Sequence, residues 1–407
     1  MTDSAIDTPF FSKQIIGRNE EILKLTNALK SMQCELLAVV GRRRVGKTFL
    51  IKNFYKQFDF ECTAIPNADI NDQLLNFHRK LVIYSVKKKN FGVPKNWIDS
   101  FYQLQIVLGL KKSKKKKVLF IDELPWIETS RSKFVDSLAH FWNDYAVHSN
   151  VFLIICGSAA CWVIQKIVLN KGGLHNRITQ LINLKPFTLI ETEEFLKHKC
   201  ITYNRQDIAT MYMINGGIPL YLNEFKKGLS IAQNVDLIWF NKNGILYNEF
   251  EALFTSLFFN PQNHISFVKA LATMRKGLTR VELLFFTKIE DGGSVTKTLQ
   301  VLIAAGFITL IFPFGKSKKD SLHRLTDAYR LYYLQFIEKH KKATNAVLQH
   351  LQITIAWKIW CGYAFENICI AHINKIKQKL GISAIYTEIS SFAIKTANQK
   401  QGFQIDL

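Results

Sequence analysis

Three stretches of this chain are apolar without a break: Leu36 to Val40, Val118 to Ile121 and Val151 to Cys156. None alternates with polar residues. A strand with one wet face alternates, whereas a strand covered on both faces does not, so these runs predict a parallel sheet with helices around it. Helical patterns separate the runs over the first 190 residues, which sets the expected fold class as α/β. From Glu191 the runs vanish, and a small helical unit is expected to about Ile245. From Glu249 to about Glu338, helices lead into one long hairpin-like stretch. After Trp357 come an amphipathic helix and two strand-like pieces. Domains are therefore expected at 1–190, 191–245, 246–345 and 346–407. The longest apolar stretch, Val301 to Phe314, is broken by Gly306, Thr309 and Pro313. It falls short of the roughly 20 residues of a membrane span, and no membrane partner is expected.

The first apolar run ends in Gly41-Arg42-Arg43-Arg44-Val45-Gly46-Lys47-Thr48 and is followed by a helical pattern, Phe49, Leu50 and Phe54. This is the full G-x-x-x-x-G-K-[ST] pattern in its strand–loop–helix context. Glycines let the backbone curl so that its N–H groups point at phosphates, and the helix N-terminus adds its positive end. Lys47 is expected on the β and γ oxygens, and the Thr48 hydroxyl on Mg²⁺. The second run ends in Asp122-Glu123. Asp122 is the expected second metal carboxylate, and Glu123 the group that orients and activates water. The third run ends in Gly157-Ser158, which suits a γ-phosphate sensor. Arg177 is a candidate for stabilising transition-state charge. The guanine signature N-K-x-D is missing, since Asn241-Lys242-Asn243-Gly244 lacks its Asp. ATP is therefore favoured over GTP.

Thr279-Arg280-Val281-Glu282 reads as a capping box. Ser294 can cap a second helix whose Val295, Leu299, Leu302 and Ile303 share a face, and Gly306 can end it. A strand over Phe307 to Phe312, a basic turn (Gly315 to Asp320) and a return strand over Leu322 to Leu325 follow. Helix, turn, helix, hairpin is the winged-helix order. Thr296, Lys297 and Gln300 would face a major groove, with Lys316, Lys318 and Lys319 on phosphates.

The 407 residues carry 54 Lys and Arg against 32 Asp and Glu, a net charge of +22. That favours polyanionic partners, DNA among them. The lysine clusters 87–89 and 111–117 read as solvated loops. Seven scattered cysteines without a C-x-x-C pair suit reduced thiols and a cytoplasmic location. Met1 to Phe11 has two acids and no basic residue, unlike a secretory signal.

Ile16-Gly17-Arg18-Asn19-Glu20-Glu21, the phosphate loop, Phe120 to Trp126, Cys156-Gly157-Ser158, Gly216 to Leu222 and Gly402 to Leu407 together resemble the archaeal-type ATPase family, which is close to the AAA+ and STAND ATPases. The resemblance covers nearly the whole chain. It implies an AAA+-like P-loop core, a helical lid, a winged-helix domain and a restriction-endonuclease-like domain. It implies that Ile16 to Arg18 lie against adenine, Ser158 at the γ-phosphate and Pro219 near the base. In the nuclease-like part Glu366 matches the first acid and Asp406 the second. The acid-x-Lys element is absent, so a truncated, inactive remnant is expected. The expected function is an ATP-hydrolysing switch using ATP and Mg²⁺, linked to DNA, with a protein partner or homo-oligomer possible. A non-hydrolysing DNA-binding regulator and an ATP-dependent nuclease are the alternatives.

Overall fold

The computed structural model describes residues 15–85, 91–109, 115–129, 132–157, 160–163, 166–167, 172–174, 176–258, 260–315, 317–341, 346–385, 390, 392–394 and 403–405. The chain forms two compact units, Met1–Lys185 and Pro186–Leu407. The expected boundary at 190 therefore falls inside the second unit. The local reason is that Phe187 N–H donates to Gly217 O at 2.8 Å, and Thr188 builds a capping box that starts the helix Leu189–His198.

In the first unit, helix α1 (Asn19–Lys30) leads to β1 (Glu35–Val40), and the phosphate loop leads into α2 (Lys47–Phe54). Then come β2 (Phe60–Thr63), α3 (Ile70–Tyr84), α4 (Trp97–Leu108), β3 (Lys117–Asp122), β4 (Val151–Cys156) and β5 (Gln180–Asn183). The sheet order is β2-β3-β4-β1-β5, with every pair parallel. The three apolar runs of the sequence are its three central strands. The edge strands β2 and β5 are only half covered and carry no continuous apolar run, so hydrophobicity did not mark them.

Side chains alternate across β1. Leu36, Ala38 and Val40 face an aromatic core with Phe77 of α3 and Trp97 and Phe101 of α4. Leu37 and Val39 point the other way and are equally buried. Trp97 meets Phe77 edge-on at 5.5 Å and Phe134 at 4.8 Å. Each such buried ring contributes about 1.5–3 kcal/mol by leaving water. Asp69 and Asn96 fix the starts of α3 and α4 by accepting from the N–H of Asp72 and Asp99.

In the second unit, Thr279 and Glu282 make the expected capping box on the helix Arg280–Thr287. The next helix, Gly293–Ala304, starts two residues earlier than a cap at Ser294 would set it. Ser294 lies in its first turn, and no side chain caps it. Val295, Leu299 and Leu302 are buried, but Ile303 is 38% exposed, and Thr298 takes its place inside. Gly306, at φ 70°, follows the last turn. Antiparallel strands β6 (Ile308–Ile311) and β7 (Leu322–Leu325) form a hairpin, and Leu278 bridges to His323 beside it. The buried Arg330 guanidinium lies 3.2 Å from the Phe307 ring centre and pairs with Asp327 at 3.1 Å.

The helix Ile355–Ala371 starts at Thr354, whose hydroxyl accepts from Trp357 N–H. Its Glu366 carboxylate accepts from Arg324 Nη1 of β7, a buried guanidinium. This proposed nuclease acid is thus neutralised by an internal partner. Asp406 lies outside the described residues. Among the described residues, no helix is long and apolar enough to cross a membrane.

Candidate nucleotide site

The site grows from the carboxyl ends of three adjacent central strands. β1 releases the phosphate loop, β3 ends in Asp122, and β4, which lies between them, ends in Cys156. Gly41 has φ 146°, and a Cβ there would lie 2.3 Å from Leu184 O, so only glycine fits. Leu184 N–H donates to Val40 O at 2.8 Å and locks the loop's first residue beside the end of β5. Gly46, at φ 90°, makes the left-handed step into α2. Val45 is buried, and Arg42, Arg43 and Arg44 are half-buried around the loop, Arg44 with a positive φ of 71°.

Lys47 is 7% exposed, and its Nζ donates to Gly41 O and Arg42 O, both at 3.0 Å. The amine therefore folds back over the cradle. Burial lowers its pKa, while Cys156, Glu123 and Asp122 hold it up. Thr48 Oγ1 donates to Asp122 Oδ2 at 2.7 Å, and Glu123 N–H donates to Asp122 Oδ1 at 2.8 Å. Glu123 is itself left-handed, at φ 54°, at the start of the turn Leu124–Ile127. Sequence reasoning gave no role to Cys156. Its thiol is buried, and burial, with the Asp122 carboxylate adding to it, raises its pKa well above the ordinary range. The strand order that places Cys156 here is not written in any local motif.

The expected residues do not all converge. Arg18 is buried, and its guanidinium donates to Val45 O at 3.3 Å and Lys185 O at 2.8 Å. It braces the loop from behind. Ile16 is half-buried two residues before it. Ser158 lies outside the described residues. Arg177 is exposed and precedes β5, and its charge acts on the Cys34 thiol ahead of β1. All strands are parallel, so that is the amino edge of the sheet, about 20 Å from the loop across six residues of β1. Arg177 therefore stands at the edge of the sheet opposite its own chain's loop. Pro219 opens the helix Pro219–Asn223 of the second unit.

The donor set suits a nucleoside triphosphate with magnesium. The cradle leaves no room for a Cβ at Gly41, a lysine caps it, and a hydroxyl and a carboxylate stand one hydrogen bond apart. Fold and site together define a P-loop ATPase with an α/β core. Residues 15–225 match the family described as an ATPase domain predominantly from Archaea, and the chain belongs to that family. It is 23% identical over 370 residues to an uncharacterized protein, MJECL04, of Methanocaldococcus jannaschii, covering 89% of this chain and 79% of that one. It is also similar in fold to the Walker-type ATPase PABY2304 of Pyrococcus abyssi. The TM-score is 0.56 at 17% identity, covering 80% of this chain and 97% of the other.

Proposed function

We propose that this chain binds ATP with magnesium, hydrolyses it, and uses the cycle to control engagement of duplex DNA by its second unit. The observation that carries the reading is the Thr48–Asp122 hydrogen bond of 2.7 Å beneath a lysine-capped loop. Lys47 holds two neutral carbonyls, and phosphate oxygens are stronger, charged acceptors for the same ammonium. Thr48 and Asp122 would hold the metal, Asp122 through water. Bound magnesium would draw off charge on the β and γ oxygens. Glu123, beside Asp122, would orient the attacking water and take its proton on the carboxylate. Gly41 and Gly46 keep the backbone amides turned toward the phosphates.

The DNA part of the reading rests on the basic excess of +22 and on the helix–helix–hairpin order of residues 280–325. We assign that order to a winged helix. Thr296, Lys297 and Gln300 are exposed on its second helix, as base-edge contacts require. A charge-stabilising role for Arg177 would have to be supplied to a second copy, because Arg177 stands at the far edge of its own sheet.

Calorimetry and turnover with and without duplex DNA test the proposal. Lys47→Ala should abolish the heat of ATP binding. Glu123→Gln should bind normally and turn over at least about a hundredfold slower. Normal turnover by Glu123→Gln removes that residue from its role, and no ATP heat with the unaltered protein removes the whole reading.

A further inference from the structure

The hairpin tip of the second unit presents aromatic rings to solvent. Phe312 is 45% exposed and Phe314 is 65% exposed, and they flank Pro313. Proline fixes its own φ, and Gly315 at φ 68° turns the chain immediately afterwards. Ser317 closes the tip, its N–H and Oγ donating to Asp320 Oδ2 at 3.1 and 2.8 Å. Lys319 is exposed on the same turn.

A partner for such a tip must offer an apolar slot rimmed by negative charge. A base step of duplex DNA opened from the minor groove is that surface: ring faces inside, phosphates on both walls. An anionic membrane surface shares part of this chemistry. DNA is favoured because Thr296 and Gln300, whose uncharged side chains can hydrogen-bond to base edges and gain nothing from lipid charge, are exposed on the helix leading into the same hairpin.

We propose that Phe312 and Phe314 are wedge residues that enter a base step and unstack it, while Lys319 holds a flanking phosphate. The proposal rests on the DNA reading above and adds the mode of contact.

The test uses the full chain and duplexes carrying 2-aminopurine at successive steps, with dye pairs at the ends. Binding should raise 2-aminopurine emission at one step and shorten the end-to-end distance. Phe312→Ala/Phe314→Ala should lose both signals and weaken binding about tenfold, as the loss of one ring-on-base contact does, with the salt slope unchanged. Lys319→Ala should lower the salt slope by about 1 and keep the emission signal. Wild-type binding without unstacking, or a double alanine variant that matches wild type, overturns the wedge while leaving DNA binding standing. Failure of the wild type to bind any duplex overturns both. A double variant that loses only anionic-vesicle binding, or only self-association in sedimentation, assigns the rings to a lipid surface or a second copy and overturns the wedge.

Discussion

Gly41 and Gly46 belong to one motif but are required for different reasons, and alanine substitutions separate them. At Gly41 a methyl group would sit 2.3 Å from Leu184 O, well inside the 3.0 Å that real Cβ contacts keep. The backbone there is also at φ 146°, which costs an L-residue about 1–3 kcal/mol. Relief of the clash means moving the Leu184 carbonyl, and with it the 2.8 Å bond from Leu184 N–H to Val40 O, worth about 1 kcal/mol. Gly41→Ala should therefore cost about 2–4 kcal/mol. For a unit of this size each kcal/mol moves Tm by about 2–4 °C, so the drop should be roughly 5–15 °C. At Gly46 the nearest atom to a new methyl is Phe49 Cβ at 3.9 Å, so only the φ of 90° opposes it, at about 1–2 kcal/mol. Thermal unfolding followed by circular dichroism should rank Gly41→Ala below Gly46→Ala, with Gly41→Ala also losing ATP heat. A Gly41→Ala protein melting within about 2 °C of wild type, or the reverse ranking, would refute the claim that the end of β5 sets this glycine.

Glu366→Gln leaves the buried Arg324 guanidinium without counter-charge and should cost about 3 kcal/mol in urea unfolding. Arg324→Met/Glu366→Leu should recover most of that stability. His323 is 8% exposed, and its pKa is lowered by burial and further by Arg280, against a backbone bond at Leu278. Its folded value lies below the ordinary 6.5, so the unfolded chain takes the proton first as pH falls. Stability should be level above about pH 6.5 and decline below it, through the folded pKa, by at most about 1.4 kcal/mol per pH unit from this group. His323→Gln should flatten that slope in urea titrations at pH 5 to 7. Equal mixtures of Lys47→Ala and Arg177→Ala proteins should hydrolyse ATP faster than either alone, since each supplies what the other lacks. Additive rates would show that Arg177 serves no neighbouring site.

The sequence by itself determined whatever depends on neighbours a few residues apart. The phosphate loop needs its glycines, Lys47 and Thr48 at fixed spacing, and the capping box needs Thr279 three residues before Glu282. Central strands buried on both faces must read as unbroken apolar runs, and β1, β3 and β4 do. The tertiary structure decided what depends on distant segments arriving at one place. Leu184, 143 residues beyond Gly41 along the chain, makes that glycine obligatory. Strand order alone puts Cys156 against Asp122 and carries Arg177 to the opposite edge of the sheet. Arg18 meets the carbonyls of Val45 and Lys185, and Glu366 meets Arg324, because folding brought those groups together. Periodicity reports which face of an element is dry, but it carries no record of which other element covers that face.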